Sequence, residues 1–125
     1  MIEIRMKDDK TRFSPFDQME AEITWDSSVV HDIKVELLWS TRGRGSEDTY
    51  VQDARRIAVK QERSSMKNLI FQAPVGPYSF SGKLISLIWY LSASDEGGSQ
   101  SAELELVIAP GEKEIIIDQG MKAIQ

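Results

Sequence analysis

The sequence predicts an all-β protein, a two-sheet antiparallel β-sandwich of about eight strands. Apolar and polar residues alternate with period two through most of the chain, and turn-forming residues separate the alternating runs. No segment shows the i, i+3, i+4, i+7 apolar stripe of a core helix. Strands that are apolar on one face must bury that face against another sheet, so two packed sheets of immunoglobulin-like size are expected.

The predicted strands follow one another along the chain with short polar connections. The run from Gln18 to Trp25 is the clearest, because its odd-numbered residues are apolar and Glu20 and Glu22 fall on the opposite face. The run from Lys83 to Ser94 is apolar on both parities, which is typical of a central strand. The eight predicted strands are residues 2–6, 18–25, 33–39, 49–60, 69–73, 83–94, 102–108 and 114–118.

Irregular positions refine this prediction. Leu38 interrupts the polar face of its strand, which indicates that this outer face is partly covered. Arg55 shares a parity with Val51 and Ile57, which indicates a bulge or an edge position near Arg55. The tryptophans lie well inside predicted strands and are expected in the core; they are Trp25, Trp39 and Trp89.

Three connections carry distinct turn signals. The polar, glycine-containing segment 40–49, "STRGRGSEDT", predicts an exposed loop, and "DEGGSQ" at 95–100 predicts a tight hairpin turn. Pro74 and Pro77 each remove a backbone donor, so "PVGPYSFSG" predicts a rigid segment without strand pairing that leads into the long strand.

Composition limits the class of protein. The chain has 125 residues, enough for one domain over residues 1–125, and it has no cysteine. Its start lacks the apolar region of a signal peptide and no run reaches membrane-spanning length, so a cytoplasmic protein without membrane insertion is expected. The net charge of −5 disfavours nucleic acid as a partner. Charge is nevertheless uneven, since residues 41–67 carry seven basic and four acidic side chains.

Catalytic and metal-binding patterns are weak. The only histidine, His31, lies in the connection "DSSVVHD" with nearby serines and aspartates, where a solvated turn is favoured over a catalytic triad because triad members normally converge from distant segments. "SDEGGS" lacks the alternating ligands and closing glutamate of an EF-hand, and the glycines of segment 40–49 lack P-loop spacing. We therefore expect no enzyme activity, and we assign no catalytic, cofactor-binding or metal residue.

Two features could bind a protein partner. Arg42 and Arg44 lie in the glycine-containing segment and could bind a planar anion, although Glu47 and Asp48 are close enough to neutralise them. Alternatively, an uncovered strand edge could accept a partner's strand, while the charges along residues 49–63 are also typical of a protected edge.

The stretch "FQAPVGPYSFSGKLISLIWYLSAS", residues 71–94, resembles the corresponding stretch of arrestin-fold domains, in which a Pro-aromatic-Ser turn leads into a long strand. "VELLWSTRGRGSEDT" resembles the matching segment of small bacterial members of that superfamily. Together the matches span roughly residues 33–108 and carry no functional residue. The resemblance implies an arrestin-like sandwich. Arrestin relatives usually join two such sandwiches, and this chain has the length of one.

These observations lead to two functional hypotheses. The first is a non-enzymatic protein-interaction module that binds a protein partner through its loops or a sheet edge, with Arg42 and Arg44 as contacts. The second is a structural homodimer in which a second copy replaces the missing half of the arrestin pair.

Overall fold

Ten strands form the protein in a computed structural model that describes residues 1–43, 47–82 and 85–117. The all-β sandwich is confirmed, and the described residues contain three single-turn 3-10 segments but no α-helix. The strands are β1 (Ile2–Met6), β2 (Arg12–Phe13), β3 (Gln18–Trp25), β4 (Ile33–Gly43), β5 (Glu47–Ile57), β6 (Met66–Gln72), β7 (Phe80–Gly82), β8 (Ile85–Asp95), β9 (Ser101–Ile108) and β10 (Ile115–Ile117).

The smaller sheet has the antiparallel order β1-β3-β6. Ala21 of β3 pairs with Met6 on one side and with Leu69 on the other, and all three side chains are buried. Glu20 and Glu22 lie on the opposite, solvent-facing side of β3, as the alternation predicted.

The larger sheet is built around β8, as expected for the long apolar run. One edge of β8 pairs with β4, which in turn pairs with β5. The other edge of β8 pairs with β7 along one part and with β9 along another. β10 pairs with β7 in parallel, and β2 pairs with β9 in parallel. The sequence did not predict β2 or β7, because strands of two and three residues are too short to show a period.

The core lies between the two sheets. Trp25 and Trp89 are buried as predicted, whereas Trp39 is only partly buried. Leu38 is buried although it lies on the outer face, which agrees with the prediction of partial cover. The largest fully buried side chains are Trp89, Phe71, Met19, Ile23, Ile33, Leu37, Ile57, Leu91, Leu106 and Ile108.

Two loop predictions were wrong in part. Segment 40–49 is not an exposed loop, because Ser40 pairs with Thr49 and Arg42 with Glu47, so the β4–β5 hairpin continues to Gly43. Residues 44–46 lie outside the described residues. In the proline-containing segment, residues 80–82 form strand β7, and Phe80 and Ser81 of this strand pair with β8. The carbonyl of Pro77 accepts a hydrogen bond from Trp89 Nε1 at 2.6 Å.

β5 is an edge strand with a bulge, as its charge pattern indicated. Its pairing with β4 passes from Asp53 directly to Val51, so Gln52 is the extra residue. The bulge shifts the alternation of inward and outward side chains along β5 by one residue. Val51 therefore pairs with Leu38 on the outer face, while Ile57 points into the core. The sequence placed Val51 and Ile57 on one face, which was wrong for this reason.

Candidate functional site

A cleft opens between the edge strand β5 and the chain that follows β6. We call it the β5 groove, and its volume is about 470 Å³. Such a volume lies within the roughly 300–1,000 Å³ typical of ligand sites. Three segments that are distant in sequence line the groove: Phe16 from one turn, Leu37, Gln52, Asp53 and Arg55 from the β4–β5 hairpin, and residues 72–76.

A tight turn places Phe16 at the rim of the groove. Its ends are joined by hydrogen bonds between Ser14 and Asp17, and Pro15 occupies the position where a fixed φ is favourable. Phe16 follows with φ of 71°, an uncommon backbone conformation for a bulky residue. Its amide donates to the carbonyl of Ala73 at 2.9 Å, so the turn is attached to the end of β6. The Phe16 side chain is 66% exposed.

Residues 72–76 form the opposite side of the groove. Val75 is 59% exposed and lies between Pro74 and Gly76 in a stretch without strand pairing. The amide of Ala73 donates to the carbonyl of Asp17 at 2.8 Å, and Ala73 itself is buried. The apolar part of the groove lining thus consists of two exposed side chains, Phe16 and Val75, together with Pro74 and the buried residues Leu37 and Ala73.

Arg55 connects the edges of the two sheets beside the groove. Its guanidinium donates to the carbonyl of Ile70 on β6 at 3.1 Å and forms an ion pair with Asp53 at 3.0 Å. It also lies over the ring of Phe71, with 4.7 Å between the guanidinium carbon and the ring centre. Asp53 and Arg55, the charged residues of the groove, thus neutralise each other. The carbonyl of Ile70 on the edge strand β6 already accepts a hydrogen bond from Arg55.

The other half of β5 exposes apolar side chains. The ring of Tyr50 stacks on Trp39 with 4.3 Å between ring centres, and about half of the Tyr50 side chain remains exposed. Val51 is exposed to the same extent on the outer face. β5 therefore differs along its length, with charged side chains at residues 53–56 and exposed apolar ones at Tyr50 and Val51.

The structure does not place Arg42 in this groove. Arg42 pairs with Glu47 across the hairpin, with 3.8 Å between Nε and Oε1, and both side chains are more than half exposed. By alternation from the outward-facing Leu38, this ion pair lies on the outer face of the larger sheet. Arg44 lies outside the described residues. Phe16 and Val75 were missed by the sequence reasoning, although an apolar residue next to a turn proline was a usable signal at each position.

Two other polar clusters lie in turns. Asp26 accepts hydrogen bonds from the amino group of Met1 and from Ser28, which lower the pKa of Asp26 to about 2. His31 is exposed, with its ring against Gly97. In the 95–100 turn, hydrogen bonds from the Gln100 amide and from Ser99 lower the pKa of Asp95. Among the described residues, no three His, Cys, Asp or Glu side chains are grouped to hold a metal ion.

Comparison with known proteins supports the fold. No protein-family model matches the chain, and no curated protein matches its sequence. The structure is similar to the crystal structure of Spo0M, a sporulation control protein from Bacillus subtilis, with a TM-score of 0.53 at 12% sequence identity. The match covers 86% of this chain and 48% of Spo0M, so this chain spans about half the length of that protein. The similarity confirms an arrestin-like fold.

No helix in the described part of the chain is long and apolar enough to cross a bilayer.

Proposed function

We propose that the protein is a non-enzymatic interaction module that binds a protein partner at the β5 groove. The observation that carries this proposal is Phe16, an exposed aromatic side chain held at positive φ at the rim of a groove lined by both apolar and polar residues. Backbone strain of this kind costs about 1–3 kcal/mol and is concentrated at functional sites. Exposed aromatic side chains are also enriched among the residues that dominate binding at protein interfaces.

The charges of the groove support a protein partner. Asp53 and Arg55 satisfy each other, so the groove presents apolar side chains and neutral amides. A net charge of −5 opposes nucleic acid, which is attracted mainly by basic surfaces. We place the protein with the small bacterial single-sandwich members of the arrestin-like superfamily and in the cytoplasm, on the resemblance of residues 33–108 and on the absence of cysteine.

A matched pair of variants tests the proposal. Val75 and Val30 are equally exposed, at 59% each, but only Val75 borders the groove. Wild type, Val75→Asp and Val30→Asp are immobilised, and proteins retained from native soluble extract are quantified by mass spectrometry. We expect a partner that wild type and Val30→Asp retain and Val75→Asp loses. A partner retained equally by all three proteins contradicts the proposal for the groove.

The arginine hypothesis is tested in the same experiment. Arg42→Glu combined with Arg44→Glu reverses two charges in segment 40–49 and changes no residue that lines the groove. If the arginines are the contacts, this double variant loses the partner and Val75→Asp retains it. We favour the groove, because Arg42 already has Glu47 as a counterion.

A homodimer is the second candidate function, and one surface favours it. Four side chains form an apolar area on the outer face of the larger sheet, which we call the outer patch: Leu38, Val51, Ile88 and Tyr90. Val51→Lys introduces a charge at the exposed part of this patch. A homodimer predicts that wild type sediments as a dimer at high micromolar concentration and that Val51→Lys is a monomer, whereas a monomeric wild type excludes it.

A further inference from the structure

We infer that the β5 groove binds an extended segment of its partner through one large, uncharged side chain of that segment. This inference rests on the proposed function and adds the chemistry of the ligand. The bound side chain lies on Leu37 and Ala73, between Phe16 and Val75. The main chain of the segment runs along the groove and contacts Gln52 and Gln72.

The shape of the groove fits a single large side chain. Leu37 and Ala73 are each 1% exposed, so the accessible apolar surface of the groove comes chiefly from Phe16 and Val75, which are 66% and 59% exposed. A volume of about 470 Å³ accommodates an aromatic or long aliphatic side chain together with its adjacent backbone. Contact with Phe16 also removes exposed aromatic surface from water, which favours binding.

The charges of the groove select an uncharged side chain. Among its described lining residues, Asp53 and Arg55 are the ionisable ones, and they are paired at 3.0 Å. Arg55 is further held by the carbonyl of Ile70 and the ring of Phe71. A charged side chain entering the groove would lose water without gaining an available counterion, which is unfavourable. An uncharged side chain has no such cost.

The polar groups of the groove match an extended backbone. Gln52 is the bulge residue and has no residue opposite it on β4, so its main chain is not used in that ladder pair. Gln72 ends β6 on the other side of the groove, and both glutamines are exposed. Each glutamine amide offers a donor and an acceptor, which is the combination that an extended peptide backbone requires.

The charged half of β5 limits how far the segment can pair with the strand. Asp53 and Arg55 point inward, and inward-pointing charges are a device that prevents strand addition. The segment is therefore short and contacts the groove at the bulge, and we do not expect a full strand added along β5. A bound helix is also disfavoured, because it needs apolar anchors over two or more turns.

Selection from a library of random linear peptides displayed on phage tests the inference. Selected peptides are synthesised, and their dissociation constants are measured by fluorescence anisotropy with wild type, Val75→Asp and Val30→Asp. We expect a shared large uncharged residue whose replacement by Asp or Lys weakens binding about tenfold or more. Val75→Asp has a similar effect, Val30→Asp has none, and peptide-induced NMR shifts are centred on Gln52 and Gln72.

The possible outcomes separate this inference from the proposed function. Peptides that depend on Val75 but are anchored by a charged residue overturn the inference and leave the proposed function intact. Selected peptides that bind Val75→Asp as tightly as wild type overturn both. If the groove is occupied by a second copy of the chain, wild type is a dimer that Val75→Asp dissociates, and the inference is wrong. Circular dichroism of each variant confirms that loss of binding is not loss of fold.

Discussion

Replacing Arg55 with alanine should lower the stability of the fold, because Arg55 connects the edge strands β5 and β6 of the two sheets. The substitution removes a hydrogen bond to the carbonyl of Ile70, a cation over the ring of Phe71 and an ion pair with Asp53. These contacts contribute about 1 kcal/mol, about 0.5–1 kcal/mol and about 0.2–1 kcal/mol respectively at a site of this exposure. The Arg55 side chain is 39% exposed, so the ion pair is weighted at the low end. We expect the free energy of unfolding to fall by roughly 2 kcal/mol.

The neighbouring Arg56 provides the control. It lies on the outer face, its side chain is 65% exposed, and it pairs with Asp32 and Glu96 on the surface. Such pairs contribute about 0–1 kcal/mol, so Arg56→Ala should cost less than half as much as Arg55→Ala. Urea unfolding followed by tryptophan fluorescence reports both values, because Trp89 is fully buried.

Two further measurements identify the source of the effect. Arg55→Lys keeps the charge but loses the planar fork, and it should recover only part of the stability because Asp53 accepts hydrogen bonds from two guanidinium nitrogens, Nε at 3.4 Å and Nη2 at 3.0 Å. A double-mutant cycle with Asp53→Asn measures the ion pair alone. Equal costs for Arg55→Ala and Arg56→Ala would refute the reasoning, because they would show that Arg55 contributes only a surface charge.

Other predictions concern strain, pH and the edge of the sheet. Phe16→Gly should remain within about 1 kcal/mol of wild type and be about 1 kcal/mol more stable than Phe16→Ala, because glycine accepts the positive φ; equal stability of the two variants contradicts strain. The lowered pKa of Asp95 means that its ionised form stabilises the fold above pH 3.8 and that this contribution is lost as pH falls through the lower, folded pKa. The stability difference between wild type and Asp95→Asn should therefore be largest near neutrality and disappear in acid, as urea midpoints across pH will show. Deleting Gln52 removes the bulge and should increase self-association in sedimentation velocity; an unchanged monomer shows that the bulge does not protect the edge.

The strands were predictable wherever burial of one face imposes a period of two. The run 18–25 became β3 with the predicted boundaries, because every second side chain packs between the sheets. The two short strands were not predictable, since Arg12–Phe13 and Phe80–Gly82 are ordered by their neighbours and contain too few residues for a pattern. The same reason explains the loop error at 40–49, where cross-strand pairing extends a polar sequence as a hairpin.

The groove was less predictable than the fold. Its lining comes from three segments that only the tertiary structure brings together, whereas sequence reasoning could evaluate one loop at a time. That reasoning selected Arg42 for the chemistry of its side chain and named Glu47 as a residue that could neutralise it, and the hairpin places Glu47 opposite Arg42. Phe16 carried a local signal, an aromatic residue after a proline outside any strand, whose meaning depends on the attachment of its turn to Ala73.

One inserted residue, Gln52, connects the properties of the β5 edge. If Gln52 were retained and paired with Leu38, strict alternation from Asp53 would turn Tyr50 outward, away from Trp39. Because the ladder skips Gln52, Tyr50 stacks on Trp39 while Asp53 still faces Arg55 beside the groove. The exposed apolar side chains of β5, Tyr50 and Val51, lie beside the bulge, with charged residues on both sides of them at 47–48 and 53–56. Charge toward both ends of an edge strand resists general strand pairing, and the bulge interrupts the ladder at one defined place. An edge of this kind leaves the bulge as the place where the proposed segment contacts the strand.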